Sequence, residues 1–187
     1  MLLAAPGEFD RWWLSFAREE MSEANLNPRI SMVIPAFNEE SYLPALLDTV
    51  DRARQRYVHG KNAIEIIVAD NASTDGTPGF ATSRGCRVVF VAKPSIAAAR
   101  NGGARAARGE ILAFIDADSQ IHPETFNAIE DTLASGRVIV GASGVGLSRM
   151  SPALALMMLV AVPMTRITGL DGGVVFCRRE DWDAVGG

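Results

Sequence analysis

From Ile30 to Val140, short apolar runs alternate with stretches whose apolar residues recur at helical spacing. This alternation admits very few architectures. Ile30–Ile34 reads as a first strand. Glu39 to about Tyr57 follows as a helix carrying Leu43, Leu46, Leu47, Val50 and Ala53 on one face, with Asn38 expected as its N-cap. Ile64–Ala69 is a second strand, followed by a polar turn and a helix from about Thr77 to Arg84. Arg87–Val91 is a third strand, Ile96–Arg108 an Ala-rich helix, and Glu110–Ile115 a fourth strand. His122-Pro123-Glu124 opens another helix, because proline suits a first turn, and Arg137–Val140 closes the series. Strands that alternate with helices build βαβ units, so the expected fold is α/β, a mostly parallel sheet with helices on both faces. Ligands of such sheets bind outside the carboxyl ends of the strands. Polar clusters stand at those ends: Pro35–Glu40, Asp70–Thr77 and Asp116–Gln120.

The last cluster follows the apolar run Ile111–Ile115, which stops at Asp116-Ala117-Asp118. In extended backbone, residues i and i+2 point to the same side, so the two carboxylates could converge on one hard cation. A cation held by few carboxylates keeps positions open for phosphate oxygens. A strand ending in a turn explains the same residues equally well, since Asp favours turns. The shared location of the polar clusters favours a site.

With 187 residues, 48% of them hydrophobic, the chain is sufficient for a full core, and one main domain is expected. A formal charge of -4 gives no broad basic field, which argues against a nucleic-acid partner. Cys86 and Cys177 sit in apolar runs and read as buried thiols, without zinc-ligand spacing or a disulfide framework. The opening Met1–Ala5 lacks the charged and apolar regions of a secretory signal, and the apolar run Pro152–Pro163 is too short for a bilayer. A cytoplasmic protein is expected, with Pro152–Pro163 a buried helix. Before the first strand, Phe9, Trp12, Trp13 and Phe16 lie at helical spacing. Residues 1–28 are expected to be a helical extension docked on the domain or a partner, with peripheral contact at the membrane's inner face as the alternative. A natural start at Met21 would leave only a short polar lead-in.

Ile34-Pro35-Ala36-Phe37-Asn38-Glu39-Glu40, Val68-Ala69-Asp70-Asn71-Ala72-Ser73-Thr74-Asp75-Gly76-Thr77, Ala99-Arg100-Asn101-Gly102-Gly103 and Phe114-Ile115-Asp116-Ala117-Asp118 together resemble the family 2 glycosyltransferases of the GT-A fold. The resemblance runs from about Arg29 to Gln120 and, more loosely, over Gly172–Gly187. It implies a GT-A domain over 29–187, with a nucleotide-binding half at 29–120 and a partial acceptor half at 121–187. It also implies a nucleotide-diphospho-sugar donor and Mn²⁺ or Mg²⁺ at the Asp-x-Asp.

The residues support that reading. Pro35, Ala36 and Phe37 offer a flat apolar contact for a base, and Asp70 or Asn71 an acceptor for an imide N–H such as that of uracil. The family usually has two carboxylates at the second motif; Asn71 departs from this, and an amide donates as well as accepts. Glu39 reads as both a helix-start carboxylate and a neighbour of the nucleotide. Arg100 is expected to reach the diphosphate, whereas Arg105 and Arg108 read as a solvated helix face. Asp118 is the first choice as metal ligand; Asp116 contacts the ribose or a metal-bound water, with Ala117 between them. Asp75 is expected to be mainly structural, His122 a cap or surface residue, and Asp171 a turn. Asn101-Gly102-Gly103 suggests a helix packed closely on a strand.

Other readings fit less well. Pro35-Ala36-Phe37-Asn38 stands where an NAD-binding domain needs its glycines, and neither a P-loop nor a nucleotidyltransferase's basic, glycine-rich loop is present. A non-catalytic sugar-nucleotide-binding module remains the alternative from another class. The implied mechanism is inverting displacement at the anomeric carbon, with a carboxylate base acting on the hydroxyl of a saccharide or lipid-linked acceptor. Glu180-Asp181 only superficially resembles the family's base motif, which is expected beyond Gly187, so the chain is expected to be cut short and to bind donor better than it turns it over.

Overall fold

The computed structural model describes residues 27–143 and 173–187. Within them the strands are β1 (Ile30–Ala36), β2 (Ile64–Asp70), β3 (Arg87–Phe90), β4 (Ile111–Phe114), β5 (Val140–Ala142) and β6 (Val175–Arg178). The helices are α1 (Leu43–Arg56), α2 (Thr77–Ser83), α3 (Ile96–Ala106), α4 (Thr125–Ala134) and α5 (Arg179–Ala184). The strands form one six-stranded sheet in the order β3-β2-β1-β4-β6-β5. β1, β2, β3 and β4 run parallel, as the βαβ pattern requires. β6 enters antiparallel between β4 and β5, pairing Phe114 with Val175 and Ala142 with Val175.

Alternation along β1 divides the core. Ile30, Met32, Ile34 and Ala36 join Leu43, Leu46 and Val50 of α1 and Phe126, Ile129 and Leu133 of α4. Val33 points the other way, beside Ala69 of β2 and Ala99 of α3. Each large side chain buried here contributes roughly 1.5–3 kcal/mol relative to exposure. α3 lies close to the sheet because Gly103 has no side chain. A Cβ there would strike Cγ1 of Val33 and lie 3.3 Å from the Ala69 Cβ.

The amino-terminal ends of the strands are tied by one buried carboxylate. Ser31 Oγ donates to Glu65 Oε2 at 2.8 Å, the Arg108 N–H donates to the same oxygen at 3.0 Å, and Gly109 N–H donates to Ser31 Oγ at 2.8 Å. Burial alone would raise the Glu65 pKa. The hydrogen bonds from Arg108 and Ser31, together with the Arg108 charge, outweigh it and hold the carboxyl below its ordinary value. Arg108 is therefore not part of a merely solvated face: its guanidinium stands 2.9 Å from Glu65.

Several boundaries differ from expectation. Asn38 has a left-handed φ of 57° and does not cap α1, which begins at Leu43 with Pro44 in its first turn. α4 begins at Thr125, so Pro123 lies in the preceding turn and not inside the helix. His122 is exposed and its Nδ1 accepts from Glu124 N–H within that turn; it does not cap the helix, whose N-cap is Glu124. Both cysteines are buried and free, and burial first, then the charge of Asp51, pushes the Cys86 thiol up to about 11. No helix among the described residues is long and apolar enough to cross a membrane. The Phe9–Phe16 stretch, Pro152–Pro163 and Asp171 lie outside the described residues.

Candidate functional site

At the carboxyl ends of β1 and β2, polar side chains fasten two loops to each other. Asn38 N–H donates to Ser73 Oγ at 3.0 Å, and Asn38 Oδ1 accepts from Thr74 N–H at 2.8 Å. Glu39 N–H donates to Thr77 Oγ1 at 2.8 Å and Glu40 N–H to Asp75 Oδ2 at 3.2 Å. Gly76 N–H returns a bond to Glu40 Oε2 at 2.9 Å. Asp75 also accepts from the N–H and hydroxyl of Thr77, and these bonds, the Thr77 hydroxyl foremost, lower its pKa. Asp75 is thus structural, as expected. Glu40 performs the same service and had no signal beyond its place beside Glu39. Asn38 and Ala72 both hold positive φ, at 57° and 63°. Non-glycine residues adopt this conformation only when their surroundings impose it, and such positions cluster at binding sites.

The loops so fixed form one wall of an open cavity of about 350 Å³. Pro35, Ala36, Phe37 and Glu39 supply that wall, with Phe37 57% exposed and its ring available to a flat ligand. Pro94, Ser95, Ile96 and Ala99 supply the facing wall. The sequence places Ile96 and Ala99 in the Ala-rich helix and singles out neither Pro94 nor Ser95. Ser95 is the N-cap of α3, its Oγ accepting from Ala98 N–H at 3.4 Å. Asp70, 4% exposed, accepts from Ser73 N–H through Oδ1 at 3.2 Å. Asn71 is committed to the protein: Nδ2 donates to the carbonyls of Val91 and Lys93 at 2.8 and 2.6 Å, and Oδ1 accepts from Ser95 N–H at 2.9 Å.

Asp116 and Asp118 do not continue the strand. β4 ends at Phe114, and Ser119 N–H donates to Asp116 C=O at 3.1 Å, closing a turn with Ala117 and Asp118 at its centre. The two carboxylates therefore have different surroundings. Asp116 Oδ1 accepts from the Arg100 guanidinium at 2.6 Å, both side chains about half exposed. Arg100 Nε is shielded and without a partner among the described residues. Asp118 is exposed and has no hydrogen-bond or ion-pair partner among them. The Ala117 side chain is buried in the core, leaving only its backbone to serve a ligand.

Glu39 titrates above its ordinary value. Burial is the main cause, followed by the charges of Asp118, Asp75 and Asp116. Negative charge thus concentrates between the first loop and the Asp116–Ser119 turn, and this is where a cation would be drawn. Among the described residues no three Asp, Glu, His or Cys side chains converge closely enough to enclose a metal by themselves. The donor set fits a hard divalent ion held by one or two carboxylates and completed by phosphate oxygens. A second cavity, of about 400 Å³, opens beside Arg100 and Asp116 and is lined also by Phe114, Gly173, Val175 and Trp182.

A mostly parallel six-stranded sheet with polar loops gathered at the carboxyl ends of its parallel strands has the GT-A fold, that of the nucleotide-diphospho-sugar transferases. The chain belongs to the glycosyl transferase family 2, whose model matches residues 31–157. It is 29% identical over 141 residues to the validoxylamine A glucosyltransferase of Streptomyces hygroscopicus subsp. limoneus, covering 66% of this chain and 30% of that protein. The crystal structure of S. aureus TarS 1-349 in complex with UDP-GlcNAc superposes with a TM-score of 0.53 at 25% identity, over 66% of this chain and 37% of that one. The mannosyltransferase PcManGT of Pyrobaculum calidifontis, solved with GDP-Man and Mn²⁺, shares the fold with a TM-score of 0.64 at 23% identity, over 93% of this chain and 54% of that one. The chain spans 28% to 38% of the lengths of the first curated relatives it matches.

Proposed function

We propose that residues 29–187 carry the donor-binding part of a metal-assisted glycosyltransferase, taking a nucleoside-diphospho-sugar with UDP ahead of GDP. One observation carries the reading: at the carboxyl ends of the same sheet an apolar slot adjoins a group of carboxylates in which Asp118 has no partner among the described residues and Glu39 is held above its ordinary pKa. The base lies against Phe37 and Pro35, and the Asp70 carboxylate accepts an imide N–H at its edge. UDP is ranked first because its base presents one such donor to one buried acceptor, and because TarS was solved with UDP-GlcNAc.

Asp118 is the first metal ligand, with Asp116 contributing directly or through water. The ion is Mn²⁺ or Mg²⁺, since carboxylate and phosphate oxygens suit hard cations; PcManGT, of the same fold, was solved with Mn²⁺. When bound, the metal neutralises charge that develops on the diphosphate leaving group. Arg100 holds Asp116 in place, and the exposed part of its guanidinium donates to a phosphate oxygen. Glu39 keeps the neighbourhood negative and selects for the cation–diphosphate pair over free diphosphate. The reaction is displacement with inversion at the anomeric carbon onto a saccharide or lipid-linked hydroxyl. No residue of the chain is assigned as its general base.

The reading is tested by calorimetric titration of the 187-residue chain with UDP and GDP, each with Mn²⁺, with Mg²⁺ and in EDTA. Tighter binding of UDP with metal supports it. Absence of binding by either nucleotide under all conditions would refute it.

A further inference from the structure

Asn71 stands where the resemblance leads one to expect a carboxylate, and the structure shows what the exchange accomplishes. Its backbone N–H donates to Ala36 C=O at 2.8 Å, which fixes it to the end of β1 and the Phe37 wall. Its side chain reaches the loop between β3 and α3, the origin of the facing wall, and meets two carbonyls and one N–H there. The orientation of the amide is determined, because carbonyls only accept and the Ser95 N–H only donates. The residue is 8% exposed, so these bonds are shielded from water. A carboxylate of the same shape could satisfy Ser95 but would set its second oxygen against the carbonyls of Val91 and Lys93.

We infer that Asn71 is the positioning residue that sets the width of the nucleoside slot, clamping the Pro94–Ile96 wall against the Pro35–Phe37 wall, and is not a group that hydrogen-bonds the base through donors. Both of its N–H bonds are used within the protein. Asn71 therefore offers a base only the remaining lone pair of Oδ1, which suits the ring N–H of uracil or guanine and not the ring acceptor of cytosine or adenine. This deepens the proposed donor reading and rests on the slot being the nucleotide site.

The test uses the full chain and two variants. Asn71→Asp keeps the shape and reverses the donors; Asn71→Ala deletes the clamp without adding charge and serves if the first variant does not fold. Amide hydrogen exchange in the free proteins is measured first. Faster exchange over residues 91–96, with β1 and β4 unchanged, is the expected result, and it needs no ligand. Titrations then compare UDP, CDP, uridine, and inorganic diphosphate with Mn²⁺. The wild type should prefer UDP to CDP. The variants should lose roughly tenfold or more in affinity for UDP and for uridine while binding of diphosphate changes by less than about twofold. Unchanged exchange over 91–96, an equal loss for uridine and diphosphate, or a wild type indifferent to UDP and CDP would each overturn the inference. If the wild type binds no nucleotide at all, the donor reading fails in the wild-type arm and takes this inference with it, whereas failure of the inference alone appears only in the variants and in CDP.

Discussion

Asp116 and Asp118 are two residues apart in the chain and differ in what already holds them. Asp116 is paired with Arg100, whereas Asp118 has no partner among the described residues. Asp118→Ala should therefore abolish the Mn²⁺ dependence of UDP affinity while leaving the metal-free affinity nearly unchanged, which titration in Mn²⁺ and in EDTA would show. Glu39 gives a second prediction of opposite sign for stability and binding. Its carboxyl titrates above the ordinary 4.5, so the charged form opposes folding at neutral pH and the penalty is relieved as pH falls through the raised value. Glu39→Gln should raise the thermal midpoint at pH 7, with little change below pH 4, and should weaken UDP·Mn²⁺ binding. A lowered midpoint at pH 7 would show that Glu39 is a structural brace instead.

At the scale of elements, the contrast between two glycines is quantitative. Alanine gains up to about 1 kcal/mol over glycine inside a helix. At Gly79 of α2 a Cβ meets nothing within 4 Å, so Gly79→Ala should stabilise the protein by roughly 0.5–1 kcal/mol. At Gly103 of α3 the same methyl strikes Val33, and overpacking costs of about 1–3 kcal/mol outweigh the gain. Urea titration of the two variants should therefore give shifts of opposite sign. Much of this was legible in the chain. The apolar runs gave every strand from β1 to β4, and Gly102-Gly103 signalled the close helix. Other features were not, for physical reasons. An apolar run such as Val174–Cys177 carries no mark of direction, so the antiparallel entry of β6 had to be seen. Asn38 has the composition of a helix cap, yet it serves a loop 35 residues away, and that partnership is set by tertiary contact. The facing wall of the slot, Pro94–Ala99, was missed because nothing in a helix start indicates what lies opposite it.

The whole molecule divides its charges between the two ends of the sheet. At the amino-terminal end Glu65 and Glu130 are satisfied. Glu130 accepts from the Tyr57 hydroxyl at 2.6 Å and from Arg29; burial pushes its pKa up, but these bonds outweigh that and leave it lowered. Carboxyls depressed in the folded state contribute stability above their ordinary value of 4.5, and this is lost as pH falls through the depressed values. The chain should lose stability steeply below about pH 4.5, and Glu65→Gln should flatten that limb while lowering the plateau at neutral pH, as urea titration across pH 3–7 would register. At the carboxyl end Asp116 is paired with Arg100, but Asp118 has no partner among the described residues and Glu39 is held above its ordinary value, and there the cation and diphosphate are expected. The most direct test of that division is calorimetry of the full chain with UDP in Mn²⁺ and in EDTA. Binding should weaken markedly when the metal is removed; equal affinity in both would contradict a cation–diphosphate site at that end.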